Sequence, residues 1–263
     1  MRLFVEVVEP GGQAVVWTGV PKSAEVIERA RRRGLELLTV GPGGEAIDLV
    51  SRQSTPLGQQ LVLRHAGIEH KLALPLIGAY QMNNVLTAAG LVLATGGDWA
   101  TTLSGMGRVS PVRGRLERAV ISHAGAPVYV DYAHTPDAVE AAIAALRPHV
   151  EGRLIIVLGA GGDRDEGKRP EMGAVASRLG DVVIVTDDNP RTEEPAAIRA
   201  AVLAGAPGAI EIGDRREAIA EAVEMARAGD IVLVAGKGHE QGQIIGDEVF
   251  PFDDVAVARE CAA

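Results

Sequence analysis

Leu154-Ile155-Ile156-Val157-Leu158-Gly159 is an unbroken apolar run ending in glycine, and the polar loop Ala160-Gly161-Gly162-Asp163-Arg164-Asp165-Glu166-Gly167-Lys168-Arg169 follows it. An apolar strand with no alternation is covered on both faces, as in a parallel sheet flanked by helices. The same rhythm extends outward on both sides. Val128–Asp131 predicts a strand, and Pro136–Leu146 a helix with Pro136 near its first position. Downstream, Pro170–Leu179, Glu194–Ala204 and Arg215–Ala228 predict helices, and Val182–Thr186, Ile210–Ile212 and Ile231–Ala235 predict strands. The expected fold class is α/β, with a Rossmann-like, mostly parallel sheet over residues 112–263 and a second α/β unit over residues 1–111.

The upstream pattern is looser. Ala14–Trp17 and Leu35–Val40 predict strands. Ser23–Arg33 predicts a helix with Ser23 as N-cap, a Glu28 to Arg32 pair one turn apart and Gly34 as the stop. Residues 46–77 look β-rich, with strands at Gln60–Arg64 and His70–Leu74 around an Ala66-Gly67 turn. Asn84–Ala94 predicts a buried helix, and Asp98 caps another short one.

With 263 residues there is room for one large domain or two ordinary ones, and 47% hydrophobic against 23% charged residues is a globular balance. A net charge of −9 argues against a general binder of nucleic acid or anionic membranes, though not against a local basic pocket. Aromatics are 3% of the chain, which removes base-stacking platforms. No apolar run approaches the ~18 residues of a membrane span. The lone cysteine, Cys261, forbids a disulfide within the chain and is not expected to be catalytic. The start, Met1-Arg2-Leu3-Phe4-Val5-Glu6, lacks signal-peptide architecture. A reduced cytoplasmic protein is expected, with no nucleic-acid partner and no membrane insertion.

Ligands in such folds bind beyond the C-terminal ends of the strands. Four polar clusters follow four apolar strands: Asp131–Pro136, Gly159–Arg169, Asp187–Arg191 and Gly236–Glu240. Each alone is an ordinary loop, but their convergence on one sheet edge predicts a ligand site. Gly162-x-x-x-x-Gly167-Lys168-Arg169 nearly matches a nucleotide P-loop, with Asp187 as its metal-side acid, but Arg169 stands where the P-loop needs Ser or Thr on Mg²⁺. No P-loop and no zinc site are expected. Arg191 can hold a carboxylate through two parallel bonds, Arg164 adds a second guanidinium, and Glu240 can take an ammonium. Pro190 holds Asn189 extended, and the Asn189 amide both donates and accepts. Together they suit a zwitterion with more than one carboxylate. The competing arrangement pairs Arg164 with Asp163 or Asp165, and Arg191 with Glu193 or Glu194. Asp131 can meet a ribose hydroxyl or a metal-bound water and His134 a nucleotide, or both can be structural.

These four clusters, in this order and spacing, together with Gly78-Ala79-Tyr80-Gln81-Met82-Asn83-Asn84 and Gly114-Arg115-Leu116-Glu117, resemble the Mur ligases of peptidoglycan synthesis, and among them the branch that adds meso-diaminopimelate. The resemblance covers residue 75 to the end, and more loosely from residue 14. It implies ATP-driven amide formation through an acyl phosphate, with Mg²⁺, on UDP-MurNAc-L-Ala-D-Glu. It implies that Asp188, Asn189, Pro190 and Arg191 form the amino-acid selection motif, with Arg191 on the distal carboxylate, and that Arg164, Gly236 and Glu240 are further contacts to meso-diaminopimelate. Asn84, Arg115, Asp131 and His134 match positions lining the ATP site. No catalytic or metal-ligating residue is assigned.

The family's Gly-x-x-Gly-Lys-Thr phosphate loop and its carbamylated lysine are not found. The only Gly-Lys pairs are Gly167-Lys168 and Gly236-Lys237, neither followed by Ser or Thr. Residues 1–111 are therefore expected to be the C-terminal portion of the family's central domain, and 112–263 its amino-acid-binding C-terminal domain. The UDP-sugar peptide is then expected to bind mainly through parts absent here, and this chain to be inactive alone. A stand-alone amino-acid-binding or regulatory module derived from the ligase is the alternative. A folate polyglutamylating ligase shares the fold but not the Asp188–Arg191 motif.

Overall fold

The computed structural model describes residues 2–55 and 58–263; Met1 and, within the β-rich stretch, Pro56 and Leu57 lie outside them. Two compact units result, Met1–Ser110 and Pro111–Ala263.

The first unit carries a five-stranded sheet in the order β1 (Gln13–Trp17), β2 (Glu36–Gly41), β3 (Ile47–Thr55), β4 (Gly58–His65), β5 (Ile68–Leu74). The first three strands pair parallel and the last three antiparallel. Ala66 and Gly67 both have positive φ (49° and 81°), the backbone of a tight hairpin turn that matches strand twist. Helix α1 is Ser23–Arg32; α2 (Ala79–Ala94) packs on β1 and β2, and α3 (Trp99–Met106) on α2. The Glu28–Arg32 pair forms at 2.8 Å, and Gly34 at φ 75° follows the helix end. Asp98 caps α3 through the Thr101 N–H at 2.9 Å. Ser23 is not the N-cap of α1: its buried hydroxyl donates to the Trp17 carbonyl at 2.8 Å, tying the helix to β1 instead. Helix α2 begins at Ala79 rather than Asn84, and its first turn buries polar Gln81 together with Met82.

The second unit runs β6 (Glu117–Ile121), β7 (Pro127–Asp131), α4 (Pro136–Leu146), β8 (Leu154–Leu158), α5 (Lys168–Leu179), β9 (Val182–Val185), α6 (Pro195–Leu203), β10 (Ile210–Glu211), α7 (Arg215–Met225), β11 (Ile231–Ala235), β12 (Gly242–Ile245), β13 (Glu248–Pro251) and α8 (Asp254–Cys261). The main sheet has the order β10-β9-β8-β11-β7-β6, parallel except for β6. Strands β8 and β11 are buried along their whole length. Val128, Val130, Ile155, Val157, Val232 and Val234 form one core with Ala218, Ile219, Ala222 of α7 and Val255, Val257, Ala258 of α8. Each such Val, Leu or Ile contributes about 1.5–3 kcal/mol by full burial. Strand β6, the β12–β13 hairpin and α8 were not predicted. Among the described residues no helix is long and apolar enough to cross a membrane.

One buried ion pair joins α7 to α8. Arg215 donates to both carboxylate oxygens of Asp254, at 2.8 and 2.7 Å, and to the Ala235 carbonyl at 3.0 Å. Both side chains are fully buried. Burial opposes the Arg215 charge, yet Asp254 outweighs it and the guanidinium is held above its usual range. Asp254→Asn leaves that cation unmatched and is expected to lower stability by about 3–5 kcal/mol. The Arg215→Met, Asp254→Leu double variant should recover most of the loss. Denaturant unfolding measures both, and a loss under about 1 kcal/mol for Asp254→Asn would contradict the pair's role.

Candidate functional site

Asp131 of β7, Ala235 of β11, Leu158 of β8 and Val185 of β9 lie in one row of the sheet register. The four polar loops therefore leave the sheet at the same height. Between them opens a cleft of about 180 Å³. Arg164, Asp188, Asn189, Arg191, Gly236, Glu240 and His134 line it, as do Tyr132, Gly161 and Lys168, which were not singled out from sequence.

The loops approach one another as closely as their glycines permit. A Cβ on Gly162 would collide with the Pro190 carbonyl, one on Gly236 with the Asp188 carboxylate, and one on Gly114 with the Gly238-His239 backbone. Arg191 holds a left-handed φ of 53°, strained for a residue with a side chain. The β12–β13 hairpin fixes it there. The Arg191 N–H donates to the Ile244 carbonyl at 3.0 Å, and its carbonyl accepts from the Gly246 N–H at 2.7 Å.

Neither Arg164 nor Arg191 pairs with the neighbouring acids. Arg164 donates to the Asp163 carbonyl at 3.0 Å and Arg191 to the Gly162 carbonyl at 2.8 Å. Glu193 is taken by buried Arg169 at 2.7 Å. Hydrogen bonds from the Thr192 hydroxyl and N–H, with help from Arg191 and Arg164, hold the Asp163 carboxyl below the usual range. The cleft thus presents two guanidiniums that make no ion pair with a carboxylate among the described residues.

Its acidic side is built around Asn189. The Asn189 amide donates to Glu240 at 2.9 Å, and its oxygen accepts from Lys237 Nζ at 2.6 Å and the Ile244 N–H at 3.0 Å. Lys237 is fully buried, and burial, opposed by Asp188, pushes its ammonium below the usual lysine range. The sequence signal for it was a lysine between two glycines after an all-apolar strand. Lys168 reaches the His134 carbonyl at 3.0 Å, and burial lowers its ammonium too.

Of the residues matched to an ATP site, one belongs to the first unit and three to the second, where they gather around Tyr132. Asn84 is exposed on α2, in the first unit. In the second, Arg115 stacks over the Tyr132 ring at 4.5 Å, and His134 is exposed with Nδ1 on the Tyr132 carbonyl. Asp131 is buried and accepts the Leu116 and Ala133 N–H groups at 2.7 and 2.9 Å, so its visible task is to tie two loops together. The near-P-loop uses several of its backbone N–H groups within the protein. The N–H groups of Gly162, Asp163, Gly167 and Arg169 all bond within the protein, and Asp187 is paired with Arg199 at 2.6 Å.

Two family models match the chain: "Mur ligase middle domain" over residues 1–92 and "Mur ligase, glutamate ligase domain" over residues 114–238. The chain is 58% identical to the UDP-N-acetylmuramoyl-L-alanyl-D-glutamate--2,6-diaminopimelate ligase of Zymomonas mobilis, over 99% of its own length and 54% of the relative's. It is 51% identical to the ligase of the same name from Caulobacter vibrioides, over 97% and 53%. A solved structure of a ligase of that name is 33% identical with a TM-score of 0.66, covering 95% of this chain and 53% of the other. A folylpolyglutamate synthase of Mycobacterium tuberculosis is 25% identical with a TM-score of 0.67, covering 85% and 52%. The chain spans about half the length of the curated relatives it matches.

Two glycine variants separate close approach from ordinary helix chemistry. Gly162→Ala forces the Pro190 carbonyl away and should destabilise the second unit by about 1–3 kcal/mol. Gly105→Ala, in α3 with nothing near its added methyl, should be neutral or stabilising by up to about 1 kcal/mol. Thermal melts that move both variants alike would contradict this account.

Proposed function

This chain belongs to the Mur ligase family, and on that premise we propose that its residues supply the amino-acid-binding half of an ATP-dependent ligase that adds meso-diaminopimelate to UDP-MurNAc-L-Ala-D-Glu in the cytoplasm. The observation that carries this reading is the cleft's charge layout: Arg164 and Arg191, which make no ion pair with a carboxylate among the described residues, beside Asp188 and Glu240.

In this reading Arg191, backed by Arg164, holds the distal carboxylate of the amino acid through charge-assisted bonds. Glu240, oriented by Asn189, and Asp188 receive the ammonium at that end. The far amine is left free to attack the acyl phosphate of the partner substrate. The new C–N bond forms, the amine loses a proton, and the C–O bond to phosphate breaks. The contribution of these residues is placement of the nucleophile, an effect that can reach about 7–11 kcal/mol in well-oriented systems. ATP supplies the activating phosphoryl group, and Mg²⁺ shields its charge. Mg²⁺ beside a nucleotide is commonly held by one or two carboxylates together with phosphate oxygens, and none of the residues named in this reading is assigned to it. Arg115 and His134 offer exposed polar groups to ATP, and Asp131 ties together the two loops that carry them.

Calorimetry on this chain should find meso-diaminopimelate bound about 10–100-fold more tightly than L-lysine, which lacks the second carboxylate. Arg191→Ala should remove a similar factor. Equal affinity for the two amino acids would sink the assignment. With ATP and UDP-MurNAc-L-Ala-D-Glu added, these residues by themselves should release no phosphate, since no phosphate loop is present in them; turnover at a ligase rate would overturn that part.

A further inference from the structure

Lys237 stands outside the contacts just assigned. A lysine is almost never fully buried unless paired, and this one is fully buried at the end of β11. Its Nζ donates to Asn189 Oδ1 at 2.6 Å and to the Gly242 carbonyl at 2.8 Å, and lies 3.7 Å from Asp188 and 3.9 Å from Glu240. An ammonium has donors only, so the Asn189 oxygen must face it. The Asn189 nitrogen must then point the other way, onto Glu240 Oε2 at 2.9 Å. The Ile244 N–H, donating to the same amide oxygen at 3.0 Å, enforces the same sense.

Charge points in the same direction. Lys237 and Arg215 face Asp188, Glu240 and Asp254. Lys168 also acts on Asp188 from the cleft side. Without Lys237 one positive charge is lost from beside Asp188 and Glu240, and the Ile244 N–H is left as the remaining donor to the Asn189 oxygen.

Resting on the reading of this cleft as an amino-acid pocket, we propose that Lys237 is a positioning residue for amine recognition: by fixing the sense of the Asn189 amide it holds Glu240 where a ligand ammonium is received. Lys237 does not line the cleft. It acts through Asn189 and Glu240, and the same ammonium anchors the first residue of the β12–β13 hairpin.

The test uses the full chain, ¹⁵N-labelled, and begins without a variant. The Asn189 side-chain NH₂ should exchange slowly with solvent, and one protected lysine ammonium resonance should show contacts to Asn189. Fast exchange and no protected ammonium would overturn the proposal, whatever the ligand. Calorimetry then compares meso-diaminopimelate with pimelate, which keeps both carboxylates and lacks both amines, on the unmodified protein and on Lys237→Met. The expected result is about a tenfold or greater loss for meso-diaminopimelate and no more than about a twofold change for pimelate. In a Glu240→Gln background, Lys237→Met should add little further loss. Equal losses for both ligands would reduce Lys237 to a support of the fold and sink the proposal. If the unmodified protein binds neither ligand, the pocket reading itself fails. The exchange measurement then still judges the amide clamp, also where Lys237→Met does not fold.

Discussion

The polar chemistry of the second unit depends on one row of parallel-sheet register, in which Asp131, Ala235, Leu158 and Val185 stand side by side. Parallel neighbours are spaced about 4.8 Å apart, so four loops start within about 15 Å of one another. The register that aligns those ends also turns Val128, Val130, Ile155, Val157, Val232 and Val234 onto α7 and α8. A slip of one residue would move each valine to the wrong face and each loop to a different height. Core and site therefore guard the same alignment.

Above the sheet, close approach and buried charge take over. Gly162 lets the Pro190 carbonyl settle against the neighbouring loop, and Gly236 makes room for the Asp188 carboxylate. Lys237 and Arg215 are buried cations, an arrangement that is rarely the most stable filling for a protein interior. Each is matched by acceptors from distant segments: Asn189 and Gly242 for Lys237, Asp254 and Ala235 for Arg215. Local rules of stability are commonly broken where geometry serves a site, and both cations lie at the strand edge that carries the cleft.

The parts legible in the sequence were those governed by local rules. Strand β11 and helix α4 have the bounds their apolar runs and Pro136 predict, and β8 differs only by the glycine at its end. Strand-end placement brought Arg164, Asn189, Arg191 and Glu240 to notice, and the fold gathers them in one cleft. What escaped depended on distant partners. Ser23 has the residue type of a cap, but the Trp17 carbonyl claims its hydroxyl. The β12–β13 hairpin lies mostly at the surface, with Val249 and Phe250 exposed, and is tethered by Asn189 and Arg191 far upstream. The burial of Lys237 rests on Asn189, which no local pattern could couple to it.

The left-handed backbone at Arg191 has a consequence for how such a pocket can diversify. Ile244 and Gly246 hold that conformation through main-chain bonds, which survive any change of side chain. Branched residues such as valine or isoleucine fit that conformation poorly, while asparagine and glycine adopt it readily. The alphabet available at this position is thus filtered by torsion angle before ligand chemistry applies. A lineage drifting toward a different amino acid is steered either to unbranched side chains here or to remodelling the hairpin that grips it.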